Sequence, residues 1–197
     1  MEQFSRELKL KDDTTIMMRP LSKNDGPALL AFFSALPISD RLFLKEDVTN
    51  KDIIDRWLEE LDYEKVLPII AEKDSVIQAD ATLHFNRWGW QKHVAEIRCV
   101  VSREYRHKGL GTSLMRELVH FADQKGVSKI TASMMDNQKS ARRAFQKLGF
   151  KKAAEIKDFV IDIKGKTHNL VIMVNDVSEL WKKMEDLHFY SDVRTIH

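Results

Sequence analysis

Apolar residues recur along this chain with two periods, and the switches between them divide it into helices and strands. After an extended opening at Thr14 to Arg19, Ser22 and Asp25 are spaced as a capping box. Ala28, Leu29, Phe32, Phe33 and Leu36 then follow at helical spacing until Pro37 stops the run. Thr49 and Asp52 repeat the capping pattern before Ile53, Ile54, Trp57, Leu58 and Leu61, which predicts a second amphipathic helix. Three β-rich runs come next, Val66 to Glu72, Val76 to Phe85 and His93 to Ser102. A loop holding Asn86, Trp88, Gly89 and Trp90 joins the last two, so an antiparallel meander is expected.

A helix is predicted from Leu110, with Leu114, Leu118, Phe121 and Ala122 on one face and Gly126 as its left-handed stop. The strand Ser128 to Met134 succeeds it. Asp136 or Asn137 can cap a further helix whose buried stripe is Ala141, Ala144, Phe145 and Leu148, with Gly149 ending it. Strands at Lys152 to Ile163 and His168 to Val174 turn at Lys164-Gly165-Lys166, and a last helix, Val177 to Leu187, carries Leu180, Trp181, Met184 and Leu187. The order β-α-α-β-β-β-α-β-α-β-β-α predicts a mixed α/β (α+β layered) fold. No linker, repeat or low-complexity tract marks a boundary, so a single domain over residues 1–197 is expected, with a variable N-terminal extension at 1–13 and a C-terminal helix and tail at 177–197.

Composition narrows the class. With 197 residues, 43% of them apolar, the chain can bury about two-thirds of its unfolded surface without a staple. Its 32 basic and 30 acidic side chains are interspersed, so no field favours nucleic acid. Cys99 is the only cysteine, which excludes an internal disulfide and a cysteine-rich zinc site. The seven histidines show neither HxxxH nor HExxH spacing, so no metal is expected. The charged start MEQFSRELKLKDD lacks a signal core and no segment approaches the ~20 apolar residues of a membrane span, so a cytoplasmic protein with no membrane partner is expected.

The chemistry concentrates at Arg106-His107-Lys108-Gly109-Leu110-Gly111-Thr112, between a strand end and a helix start. Several backbone N–H groups there have no helical acceptor, two glycines permit close approach and positive φ, and the helix dipole with Arg106 and Lys108 adds positive charge. A pyrophosphate fits such a turn. The NTPase reading weakens because the lysine precedes the glycines of GxxxxGK[ST] and the spacing fails, and the dinucleotide reading weakens because GxGxxG fails at Thr112-Ser113-Leu114.

Val101-Ser-Arg-Glu-Tyr-Arg-His-Lys-Gly-Leu-Gly-Thr112 resembles the acyl-CoA-binding motif of the GNAT superfamily of N-acyltransferases, whose core is [QR]xxGx[GA], here Arg106 to Gly111. Asn137-Gln-Lys-Ser-Ala-Arg-Arg-Ala-Phe-Gln-Lys-Leu-Gly-Phe150 resembles that family's next motif, an Asn-initiated helix ending in Leu-Gly-Phe. Met18-Arg-Pro-Leu-Ser22 through Asp40-Arg-Leu-Phe43 is also similar to acyltransferase domains of some bacterial protein lysine acetyltransferases. The resemblance implies one GNAT-like domain with a central mixed, mostly antiparallel sheet of about seven strands, flanked by helices and splayed between the fourth and fifth. It implies acetyl-CoA as cosubstrate, with the amides of His107, Lys108, Gly109, Leu110 and Gly111, together with Thr112, on its pyrophosphate. Main chain at Cys99, Val100 and Val101 would pair with pantetheine in the cleft between the two splayed strands, and Asn137 would contact the CoA chain.

The implied reaction is direct attack of a neutral amine on the thioester, with the Val100 or Val101 amide stabilising the oxyanion. Glu96 is the first candidate for general base, with His93 and His84 in reserve. The usual tyrosine acid is replaced by Phe145, and a noncatalytic acyl-CoA-binding regulatory module is the rival reading. Met134 and Met135 line the thioester channel or the core. Asp40, Glu46 and Asp47, with Glu59, Glu60, Asp62 and Glu64, form either a pocket for a cationic acceptor or a solvated face. The acceptor expected is a small-molecule or protein amine. Trp88 and Trp90 cover a substrate, mediate a homodimer contact or pack on the surface.

Overall fold

The computed structural model describes residues 4–41 and 44–182. One mixed sheet of eight strands runs through it in the order β1-β2-β3-β4-β5-β6-β8-β7. The strands are β1 (Arg6–Lys9), β2 (Thr15–Pro20), β3 (Val66–Lys73), β4 (Val76–Phe85), β5 (Val94–Val101), β6 (Lys129–Met135), β7 (Lys151–Ile161) and β8 (Thr167–Asp176). The helices are α1 (Gly26–Ala35), α2 (Ile38–Arg41), α3 (Lys51–Glu59), α4 (Leu110–Gln124) and α5 (Lys139–Lys147), with 177–182 also helical. Seven strands were expected; the eighth is β1, inside the stretch read as an extension. It pairs antiparallel with β2, Arg6 opposite Met18 and Lys9 opposite Thr15. The expected positions Met184 and Leu187, like Phe43, lie outside the described residues.

The chain folds as two compact units, residues up to Arg87 with Ile97–Leu118, and Trp88–Glu96 with residues from Val119 onward. In the first, β3 is buried on both faces. Leu67, Ile69 and Ala71 stand opposite Leu83, Ala81 and Ala79 of β4. Ile70, which faces the other way, joins Leu29, Phe32 and Phe33 of α1 and Ile54 and Leu58 of α3 in one apolar cluster. A strand covered on both sides reads as a continuous apolar run, which Leu67–Ala71 is. Arg19 of β2 fastens the opening. Its guanidinium donates to both carboxylate oxygens of Asp25 (2.8 and 2.9 Å) and to both of Glu72 (3.0 and 2.8 Å). The Ser22–Asp25 pattern does form, with the Ser22 amide (2.7 Å) and hydroxyl (2.9 Å) donating to Asp25, but it caps a short 3-10 turn ahead of α1. At α3 the cap is Asn50, whose side chain accepts the Asp52 N–H at 2.9 Å, while Thr49 turns back to Asp47.

In the second unit the sheet alternates cleanly, with Ile130, Ala132 and Met134 of β6 and Val171 and Met173 of β8 buried. Val94–Glu96 of β5 pair parallel with Lys129–Thr131 of β6; the recorded ladder spans those three residue pairs, while β6 continues to Met135. The expected buried stripe of α5 is corrected: Ala144 is exposed, Ala141 and Phe145 are half-buried, and only Leu148, just past the helix, is buried. Burial passes to the Leu148-Gly149-Phe150 turn, where Phe145 meets Phe150 edge-on at 5.0 Å.

Candidate functional site

The turn entering α4 is built by alternating backbone hands. Arg106 is extended (φ −70°, ψ 152°), His107 takes φ +64°, Gly109 takes φ +93°, and α4 begins at Leu110. A left-handed residue is costly for a side chain with a Cβ, least so for Asn, Asp and His, so glycine at 109 answers a conformational demand. The consequence is a run of unsatisfied donors. Among the described residues, none of the N–H groups of His107 through Thr112 donates to a backbone carbonyl; the first to do so is Ser113, to Gly109 O at 3.0 Å. Consecutive outward amides at a helix start form a concavity for anions.

The turn lies against the outer half of β5. A Cβ added to Gly111 would stand 3.6 Å from Val101 Cγ2 and 3.9 Å from Cys99 Sγ. Those are ordinary contacts, so Cys99 and Val101 face α4 while Val100, on the opposite face, packs against the cluster of α1 and α3. Burial pushes the Cys99 thiol up to about 12, with the Asp80 charge adding to the effect, so this sulfur stays protonated and is no nucleophile at neutral pH.

The two motif cations are tied down. Arg106 donates through Nε to the Val101 carbonyl (2.9 Å) and through Nη2 to Asp40 Oδ2 (2.7 Å). Arg103 also grips Asp40, at 3.2 Å through both Nε and Nη2. Lys108 pairs with Asp12 at 2.8 Å and lies over the Tyr105 ring at 5.0 Å. Sequence spacing suggested that both cations add net charge at the turn; each is instead compensated by a carboxylate distant in the chain, and they act as struts. The Lys11 amide bonds the Lys108 carbonyl at 3.1 Å, so the β1–β2 turn forms the outer rail of this loop.

The early acids also have structural partners. Asp40 is held below the usual carboxylate range by Arg103 and Arg106 despite burial, Glu46 pairs with Arg56 at 2.6 Å, and Asp62 pairs with Lys65 and Arg87. A group overlooked in the sequence is Asp80, half-buried on β4 opposite Ile70, whose carboxyl is pushed up to about 7 by burial. Among the described residues it makes no ion pair or hydrogen bond. Its signal was legible as an acid between Ala79 and Ala81.

The remaining candidates belong to the second unit. Glu96 is half-buried on β5 opposite Thr131. His93 is not in the strand; it is exposed in the turn before it, and its carbonyl accepts the N–H groups of Ser128 and Lys129. Asn137 is exposed in the turn after β6 and does not cap α5. That position is Gln138, whose side chain reaches back to accept the Met135 N–H at 2.7 Å. Met134 is buried, Met135 half-buried. In the first unit, His84 on β4 shares a hydrogen bond with Thr82 at 3.1 Å. Trp88 and Trp90 are 84% and 89% exposed, so the packed surface placement is not realised. Among the described residues no three His, Cys, Asp or Glu are grouped to hold a metal, and no helix is long and apolar enough to cross a membrane.

Residues 33–150 match the profile of the acetyltransferase (GNAT) family, a span that contains the whole amide-lined turn. The chain belongs to the GNAT family. Solved structures share its fold at low identity. A ribosomal-protein-S5-alanine acetyltransferase from Vibrio fischeri superposes with a TM-score of 0.75 at 12% identity, covering 88% of this chain and 97% of that one. The GNAT domain of S. lividans PAT gives 0.71 at 14% identity, covering 87% and 96%. A putative acetyltransferase from Salmonella typhimurium, described with its cofactor acetyl-CoA, gives 0.68 at 18% identity, covering 83% and 95%.

Proposed function

We propose that this GNAT protein is a cytoplasmic N-acetyltransferase that moves an acetyl group from acetyl-CoA to a primary amine, small or protein-borne, within a ternary complex. The observation that carries the reading is the run of acceptorless amides from His107 to Thr112, seated against Cys99 and Val101 of β5. In the proposed complex the amides of His107 to Gly111, with Thr112, hold the pyrophosphate, and main chain at Cys99 to Val101 pairs with the pantetheine arm. Arg106 and Lys108 act as struts that fix the loop. Asn137 keeps the part that the resemblance gives it, a contact to the CoA chain.

The amine nitrogen attacks the thioester carbonyl, the C–S bond breaks, and the thiolate leaves with a proton from solvent, because Phe145 has none to give. The amide of Val100 or Val101 stabilises the oxyanion. An alkyl amine with a pKa near ~10.4 must first lose its proton, and Glu96 is the proposed acceptor of it, with His93 in reserve.

The deciding experiment incubates the protein with acetyl-CoA and a panel of small amines and amine-bearing peptides and follows free thiol. Amine-dependent release is expected, reduced at least tenfold in Glu96→Gln with CoA affinity retained. Stabilisation by CoA with no thiol release from any amine would instead favour the noncatalytic acyl-CoA-binding module, and no stabilisation by CoA at all would remove both readings.

A further inference from the structure

The cations around the amide-lined turn are almost all spoken for. Arg106 and Arg103 share Asp40, Lys108 holds Asp12 at 2.8 Å, Lys9 holds Asp13 at 2.7 Å, and Arg6 holds Glu117 at 2.7 Å. Lys11 is different. Its backbone is pinned to the loop through the 3.1 Å bond from its N–H to the Lys108 carbonyl. Its side chain runs along Gly109, with Cγ and Cε each 3.7 Å from the point where a Cβ on that glycine would stand. Among the described residues its ammonium has neither a carboxylate nor a hydrogen-bond acceptor, and the residue is exposed. An uncompensated ammonium is thus delivered by the β1–β2 turn to the edge of a row of amides that themselves want an anion.

We propose that Lys11 is a phosphate-binding residue of this site, its ammonium pairing with a phosphate of coenzyme A beside Gly109. The proposal rests on the reading of the turn as the CoA site and adds to it a ligand from outside the family-matched span. A charge-assisted bond to a phosphate oxygen at a partly exposed position gives a modest, salt-sensitive gain in affinity. CoA offers two sources of that chemistry, the diphosphate and the ribose 3′-phosphate.

Calorimetric titration of the full chain with CoA and with 3′-dephospho-CoA separates them. Lys11→Gln is expected to weaken CoA binding about tenfold at low ionic strength, Lys11→Arg to stay within about twofold of the parent, and the Gln defect to shrink in about 0.5 M NaCl. An equal Gln defect with both ligands assigns the contact to the diphosphate; a defect with CoA alone assigns it to the 3′-phosphate. Lys164→Gln, in the β7–β8 turn, controls for loss of one positive charge. If Lys11→Gln binds both ligands as the parent does, the proposal is overturned while the CoA site stands. If the folded parent binds neither, the reading of the turn falls and takes the proposal with it.

Discussion

At the scale of single residues the two glycines of the turn differ in what they must do. Gly109 needs its positive φ, whereas Gly111 meets only ordinary contacts, so a Cβ at 111 disturbs the protein little and an incoming anion a great deal. Gly111→Asp is therefore expected to melt within a few degrees of the parent, yet to lose CoA affinity by ~100-fold or more in a titration, since it sets a negative charge beside the acceptorless amides. Asp40→Asn removes the counter-charge of Arg103 and Arg106 at once. It is expected to raise the KM for acetyl-CoA several-fold with a smaller change in kcat, measured by thiol release. Asp80 makes a different prediction. Its carboxyl sits near 7 in the fold against an ordinary 3.8, so between about pH 4 and 7 the unfolded chain releases a proton that the folded chain keeps. Stability should fall across that window by up to about 1.4 kcal/mol per pH unit and level off above it. Asp80→Asn should remove that slope, so its advantage in urea midpoint should be absent near pH 4, grow toward pH 7 and then hold.

Among the elements, α4 and β4 were legible because their burial follows local period, and β3 because it is a continuous apolar run. Leu110, Leu114, Leu118 and Ala122 are fully buried as the spacing requires. Leu114→Ala should accordingly cost ~2–5 kcal/mol in chemical denaturation. β1 was not legible. Arg6-Glu7-Leu8-Lys9 carries no alternating apolar face and is a strand only because the edge of β2 offers it a backbone ladder. The start of α5 escaped for a similar reason, since the N-cap position falls on Gln138, whose side chain makes no cap bond and instead accepts the Met135 N–H of β6. Of the site, the glycines and acceptorless amides could be read directly, being properties of six consecutive residues. The neutralisation of Arg106 and Lys108 could not, because Asp40 and Asp12 reach them only once the chain has folded.

For the whole molecule, ligand linkage gives the simplest expectation. CoA at 100 times its Kd should add about 2.7 kcal/mol to unfolding stability, visible as a rise in Tm that ATP with magnesium does not reproduce. The N-terminal hairpin bears on how the protein is handled at the bench. Residues 1–13 look expendable on paper, and a shortened gene product starting near Thr14 would be a natural choice for crystallisation. That cut would discard the β1 ladder, the Arg6 grip on Glu117, the Asp12 anchor of Lys108 and the bond from Lys11 to the Lys108 carbonyl. A trimmed protein that still folds but fails to bind CoA would then be a product of the scissors rather than of the full chain.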